Sequence, residues 1–414
     1  MDAFQWFVGI DWGSREHRFS VLDHTGRVQG RRTVEHTLSD LTAAFQWVCA
    51  QSGIPPAEIA VGLEVPRGVL VDAALEYGFA VFALNPKQTD RFRDRFTLAG
   101  AKDDSRDADT IGDALRTDRR AYRRIHPDDP AVVTLRELAR LADDLTTDVL
   151  RLTNRLREQL SRVDAPWLRV CPAADEPWLW TLLSKRPDPT QWPTLSRREL
   201  ANILRRHRIR RLTAADLFAL VQQPRLPAAS GVATAVQTRL ASLVPQLTLL
   251  QEQRRRTQRQ IDQALQQLAE ESDSEPTEHR DVVILQSLPG VGRMVTATML
   301  TETSGALPAR DYDTLAALTG AAPVTRQSGK CRHVHMRRAC NPRLRQALYH
   351  WARASLQRDD AARAFYDRHR QAGASHATAL RCLGARWLRI LVAMLKSRSL
   401  YDPSRCSIAA VPAA

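Results

Sequence analysis

The stretch FVGIDWGSREHRFSVLDHTGRVQGRRTV, residues 7–34, decides how the chain begins. Residues 7–11 are a short apolar run that reads as a buried strand, and Gly13-Ser14 turns the chain after it. Residues 17–22 and 27–34 flank Asp23-His24-Thr25-Gly26, a turn composition, so they pair as an antiparallel hairpin. Three consecutive strands therefore open the protein, and Asp11 stands at the end of the first.

Working outward, residues 38–51 have helical spacing through Leu41, Phe45 and Val48, and residues 59–65 read as a buried strand. A helix over 69–77 and a strand over 80–84 follow, before Asn85-Pro86. A polar loop at 100–104 leads into a last helix over 105–116. Three strands and then alternating helices and strands is the order of the ribonuclease H fold, so residues 1–125 are expected to form one α/β domain. In that fold the first and fourth strands are neighbours, which sets Glu64 beside Asp11. Asp104 and Asp107, three apart, share one helix face.

Four carboxylates would then converge in a chain with 60 Lys plus Arg against 46 Asp plus Glu, a net charge of +14. Such mutual repulsion is tolerable around a bound cation, which points to magnesium, as two ions bridged by an aspartate, facing a polyanion. Taken singly, each acid has a plainer reading as a turn former or as part of a solvated first helical turn. The strand order and the acid positions agree independently, and that agreement favours a site.

Composition narrows the partners. The 414 residues, 43% hydrophobic, suffice for two or three domains with real cores. A strongly basic chain attracts phosphate backbones or anionic membranes. No apolar run approaches the roughly 18 residues of a membrane span, and MDAFQWFVGID lacks the layout of a signal peptide, so no membrane partner is expected. Six cysteines (Cys49, Cys171, Cys331, Cys340, Cys382, Cys406) contain no CxxC pair, which suits a reducing cytoplasm.

Residues 126–279 read as a helical, coiled-coil region. Apolar residues step by three and four from Leu138 through Leu141, Leu145, Val149, Leu152, Leu156, Leu160 and Val163. A second stripe runs from Leu243 through Leu247, Leu250, Thr257, Ile261, Leu265 and Leu268, with Pro245 limiting its start. The two suit a long antiparallel hairpin, or ordinary core packing in a helical domain. Between them lie Trp167, Trp178, Trp180 and Trp192 and the basic run 205–211, which fits a solvated helix face as well as a nucleic-acid contact.

Residues 280–402 read as a mainly α C-terminal domain, with 403–414 as a tail. Ser287-Leu288-Pro289-Gly290-Val291-Gly292 resembles a helix-hairpin-helix turn, in which Gly290 and Gly292 let backbone N–H groups approach a phosphate. Residues 314–358 hold no acid, while Arg326, Lys330, Arg332, Arg337, Arg338, Arg343, Arg345, Arg353 and Arg358 accumulate. Phosphate contacts account for so one-sided a stretch better than a solvated surface does. Ser328, between Gln327 and Gly329, reads on its own as a loop hydroxyl.

The blocks VGIDWGS (8–14), VGLEVPRG (61–68) and AKDDSRDADTIGDAL (101–115) resemble those of the DEDD transposases of bacterial insertion sequences, the insertion sequence 110 family with its Piv-type DNA invertases. The family's K-T-D-x-x-D-A block maps to Lys102, Asp103, Asp104, Asp107 and Ala108, with Asp103 in place of the threonine. LTGAAPVTRQSGKCRHVHMRRACNPRLRQAL (318–348) resembles the family's C-terminal block. The resemblance implies a RuvC-like first domain whose metal site is Asp11, Glu64, Asp104 and Asp107. It also implies that Ser328 is the nucleophile joined to the cut strand, although many relatives carry two serines and two glycines here. It further implies a recombinase acting on donor and target DNA, a structured guide RNA, and a homo-oligomer in which one protomer's acids serve another's serine.

Two other classes share features with the chain. A RuvC-like hydrolytic nuclease would use the same acids on water. The segment GIDWGS (9–14) also resembles the first phosphate loop of actin-like sugar kinases, whose second Asp-x-Gly loop and adenosine-binding glycine pair are not seen.

Overall fold

The structure, a computed structural model, describes residues 4–93, 104–125, 129–224, 226–229, 231–270, 280–328 and 331–406. The chain divides into two compact units, Met1–Asp129 and Pro130–Ala414.

In the first unit, β1 (Trp6–Asp11), β2 (Glu16–Asp23) and β3 (Val28–Glu35) form consecutive antiparallel pairs. The second turn is locked by Asp23, whose carboxylate accepts from Thr25 N at 2.8 Å and Arg27 N at 3.1 Å. Helix α1 (Leu38–Ser52) starts at Thr37, whose side chain accepts from Asp40 N, and ends at the left-handed Gly53. Then β4 (Ile59–Leu63) enters parallel to β1, α2 (Val69–Glu76) crosses, and β5 (Ala80–Ala83) runs parallel to β4. Helices α3 (Pro86–Arg93) and α4 (Asp104–Asp118) follow, and the short β6 (Arg123–Arg124) pairs antiparallel with β5. The sheet order is β3-β2-β1-β4-β5-β6, a mixed sheet with β1 and β4 side by side.

Alternation along β1 sorts its two faces. Val8 and Ile10 pack with Leu41, Phe45 and Leu70 of α1 and α2, while Phe7 packs with Ile111 and Leu115 of α4. Gly9 and Asp11 share the α4 face by parity. A Cβ on Gly9 would lie 1.9 Å from Ala108 O, and one on Gly112 would lie 2.5 Å from Leu22 Cδ1. Two glycines therefore let α4 rest directly on β1, which carries Asp107 over the strand end. Gly9→Val should cost at least the roughly 1–3 kcal/mol of an overpacked core, because backbone must move, and Gly112→Val should cost less, because the Leu22 side chain takes up the clash. Urea unfolding measures this, and an unchanged midpoint would mean that α4 is not seated on these glycines.

Helix α3 was not expected from the sequence. PKQTDRFR offers no apolar stripe and buries only Thr89 and Phe92, so its formation rests on Pro86 at the first position and on Asn85 Oδ1, which accepts from Lys87 N at 3.0 Å.

The second unit opens with α5 (Pro130–Ser161), followed by α6 (Pro177–Lys185), α7 (Arg197–Arg206), α8 (Ala214–Gln222) and the long α9 (Val232–Glu270). Leu135 and Ala139 cluster with Ile261, Leu265 and Leu268, whereas Val149 to Leu160 cluster with Val236 to Leu247, so α5 and α9 run antiparallel. The expected seam needs two corrections. Leu141 is 45% exposed and Leu138 only half-buried, because Leu135, Ala139 and Ala142 carry the buried face at the start of α5. Pro245 does not limit α9, which begins at Val232 and carries Pro245 on its exposed side. Between the long helices, Trp167, Trp178 and Trp192 are wholly buried and form the centre of a core.

The remaining helices are α10 (Asp281–Ser287), α11 (Arg293–Glu302), α12 (Tyr312–Leu318), α13 (Pro342–Ser355), α14 (Asp360–Gln371) and α15 (His376–Ser397). A two-stranded hairpin, β7 (Val324–Ser328) and β8 (Cys331–His335), interrupts them. Trp351 of α13 stacks on Trp387 of α15, with ring centroids 5.9 Å apart. Val282 and Ala297 join the cluster of Leu135 and Ile261, so the start of α5 and the end of α9 share a core with α10 and α11. Among the described residues no helix is long and apolar enough to cross a membrane.

Candidate functional site

Asp11 is the last residue of β1, and Glu64 follows β4 directly, because that strand ends at Leu63, two residues short of the expected 59–65. Ile10 pairs with Leu63, so the two acids leave neighbouring parallel strands side by side. Asp107 comes from the first turn of α4, and all three line one cleft of about 370 Å³. Asp104 opens α4, but its side chain, like Lys102 and Asp103, lies outside the described residues. Asp109, two residues on, accepts from Ser20 Oγ at 2.6 Å and Arg31 Nε at 2.9 Å, and so ties α4 to the hairpin instead.

Asp107 is 5% exposed, and a carboxylate so buried needs a cation. Arg93 of α3 meets it, Nε to Oδ1 2.9 Å, as an ion pair without hydrogen-bond alignment. The same guanidinium reaches Asp90 at 3.4 Å. Burial pushes the half-buried Glu64 carboxyl above its ordinary range; Thr89 counters by hydrogen bonding, and Asp90 and Asp107 add repulsion. Behind the cleft, Gly13 N donates to Nδ1 of the fully buried His17 at 3.4 Å, leaving Nε2 to donate to His36 Nδ1 at 2.8 Å. Burial, then His36, pulls His17 below its usual pKa, so a neutral imidazole props the turn after Asp11. Arg93, Asp90 and His17 were not singled out from sequence. Arg93 and Asp90 sit on the helix that hydropathy hid, and a lone histidine inside a strand gives no signal.

Asp11, Glu64 and Asp107 offer hard oxygen donors, which suit magnesium better than a soft metal. Among the described residues, the donors that close to within 4.8 Å of one another are Cys171, Asp175 and Glu176, far along the sequence in the second unit. That trio suits a metal poorly, because burial pushes the Cys171 thiol up to about 11 and Glu176 is already bound to Trp178 Nε1 and Arg211. The three cleft acids thus share a site without closing to chelating distance, and Arg93 supplies positive charge beside the most buried of them.

The C-terminal candidates fall on the second unit. Ser328 is exposed at the end of β7, paired with Cys331 at the hairpin tip; Gly329, Lys330 and the Arg332 side chain lie outside the described residues. Arg326 and Arg338 are exposed, Arg345 is half-buried, and Arg337 Nε donates to Ala322 O at 3.3 Å. Arg343 pairs with Asp143 at 2.5 Å and Asp144 at 3.7 Å, so its charge is largely answered within the protein. The two glycines of the 288–292 turn differ. Gly290 has φ 83° and a Cβ there would meet Ser355 N at 2.5 Å, so its lack of a side chain is required by packing against α13. Gly292, which caps α11, faces open space. The basic run 205–211 is not one helix face: the chain leaves α7 at His207 and Arg208 turns left-handed at φ 55°.

Residues 8–164 match the family model for DEDD transposases of the IS110 type, described as Transposase, and residues 282–367 match that of the Transposase IS116/IS110/IS902 family. A Sinorhizobium fredii protein named as a candidate transposase, y4uE, is 44% identical over 209 residues, half of this chain and 58% of its own length. The Streptomyces coelicolor mini-circle protein named as a candidate transposase for IS117 is 29% identical over 98% of this chain and 97% of its own. The 43.6 kDa protein of insertion element IS110, also from Streptomyces coelicolor, is 29% identical over 96% of this chain and 95% of its own. Both matched domains carry the candidate residues, Asp11, Glu64 and Asp107 in one and Ser328 in the other, and with full-length relatives of the same kind they place this chain in the IS110 family of transposases.

Proposed function

We propose that the protein cuts and rejoins DNA for the excision and integration of an insertion sequence, through a RuvC-like acidic site and a serine nucleophile. The observation that carries this reading is the meeting of Asp11, Glu64 and Asp107 at the ends of two parallel strands, beneath a helix seated on glycine. With Asp104 from the same helix end, these acids would hold magnesium, as two ions, which supplies Lewis-acid stabilisation of the transferring phosphate. Asp11 and Glu64, on the rigid sheet, fix the position of the site, and Asp107 completes it from α4. Ser328 Oγ forms a bond to phosphorus as the bond from phosphorus to one sugar oxygen breaks, so the exchange leaves a phosphodiester for resealing. Its exposure on a hairpin tip suits delivery to DNA, and a hairpin with almost no buried face suits cover by nucleic acid or a second copy of the chain. Donor DNA, target DNA, a structured guide RNA and a homo-oligomer complete the proposal.

The test supplies purified protein with a plasmid bearing the element's junctions, RNA transcribed from the adjoining noncoding DNA, and magnesium or chelator. Joined products should require both the metal and the RNA; products with chelator, or equal yield without RNA, would remove those parts of the reading. A pH series adds a direction. Metal binding needs ionised Glu64, whose carboxyl is raised, so it should fall away at a pH above the ordinary carboxylate range as acid is added. In the metal-free protein the sign reverses: a raised folded pKa gives stability at low pH that is lost as pH rises through it. A magnesium titration that is flat down to ordinary carboxylate pH would remove Glu64 from the site.

A further inference from the structure

We propose that the cleft between α6, the end of α7, the middle of α9 and the start of α11 is a seat for the phosphodiester backbone of a nucleic acid, held by Arg206, Arg255 and Arg259. This deepens the nucleic-acid reading above and rests on it. The cleft has a volume of about 690 Å³ and lies within the second unit. Arg255 and Arg259, one turn apart on the exposed side of α9, face Arg206 at the end of α7, and Arg293, the first residue of α11, lines the same space. Arg293 is answered by Asp262 at 2.5 Å. Among the described residues no ion pair joins Arg206, Arg255 or Arg259 to an acid, although Glu252 lines the cleft with them.

Like charges gathered from two elements, Arg206 on α7 and Arg255 and Arg259 on α9, repel one another, so the arrangement costs folding stability unless an anion answers it. The ring of His207, which bonds Thr181 Oγ1 at 2.9 Å, registers that field: burial, and then Arg206 and Arg255, draw it below its usual pKa. Of the two aromatic rings at the cleft, Trp180 is 2% exposed and offers no face for a base, and His207 is half-buried and bonded to Thr181. The site is therefore equipped for phosphate and not for stacking, which makes it independent of sequence. The basic run of α7 contributes here through its last helical residue, while Arg211 turns away to Glu176.

The experiment follows fluorescence anisotropy of the full chain with a random-sequence DNA duplex and, separately, a single-stranded RNA, each across a salt series. Arg255→Ala with Arg259→Ala should weaken binding by roughly tenfold or more and lower the salt slope by up to about 2. Arg255→Lys with Arg259→Lys should keep the slope, and the alanine pair should melt no lower than wild type. A loss in the DNA arm alone assigns the seat to donor or target DNA, and a loss in the RNA arm alone assigns it to guide RNA. Wild-type binding with unchanged affinity and slope in the alanine pair overturns this seat and leaves the transposase reading standing. Failure of the wild type to bind either nucleic acid overturns both.

Discussion

Asp11→Asn and Glu64→Gln should each abolish strand cleavage, by about three orders of magnitude or more, while changing nucleic-acid affinity by no more than a few-fold. Each substitution keeps the side-chain volume and removes the charge, so the strand ends stay as they are and the site loses a ligand. A lost Lewis-acid contribution of several kcal/mol is worth about one decade of rate per 1.4 kcal/mol. The basic residues, Arg326 and Arg338 among them, belong to the other compact unit, which is why binding should survive. Asp109→Asn is the control within the same helix. Asp109 is bound to Ser20 and Arg31, so its loss should lower stability by about 1 kcal/mol and leave cleavage within a few-fold. Cleavage of a labelled junction substrate checks all three, with magnesium binding measured by calorimetry. Comparable cleavage by Asp11→Asn or Glu64→Gln would sink the metal-site assignment.

Ser328→Ala should remove a covalent protein-DNA adduct altogether. A serine attack stores the phosphodiester in the protein-DNA linkage, whereas a hydrolytic nuclease spends it on water and releases free ends. Wild-type protein quenched in denaturant during the reaction should retain DNA, and mass spectrometry should place the linkage on Ser328. The alanine variant should show none. It should also melt as wild type does, because Ser328 is exposed at the hairpin tip and supports no core. Free cut DNA from the wild type, or an adduct on another residue, would make the hydrolytic nuclease the better reading.

How much of this was readable beforehand varies with the element. β1 to β5 and α4 lie within a few residues of their expected places, because buried strands with period two and helices with apolar stripes carry their own signal. α3 gave none, since only Thr89 and Phe92 of its eight residues are buried, and with it went Arg93 and Asp90. The α5 seam was read one face off at its start for a related reason: Leu138 and Leu141 look like core, but Ala139 and Ala142 are small enough for the close approach of a neighbouring helix. The two glycines of the 288–292 turn look equivalent in sequence, yet only the approach of Ser355 shows that Gly290 is a packing residue.

The sequence by itself determined the order of strands and helices, the placing of Asp11, Glu64 and Asp107 at element ends, and the excess of positive charge. These depend on local periodicity and on residue type, which neighbours in the chain decide. Only the tertiary structure decided that Arg93 closes on Asp107, that Arg343 is answered by Asp143, and that Arg206, Arg255 and Arg259 face one cleft. Whether a charge is paired or free depends on which side chains meet across distant segments, and that is fixed by how the helices pack, which no local spacing records.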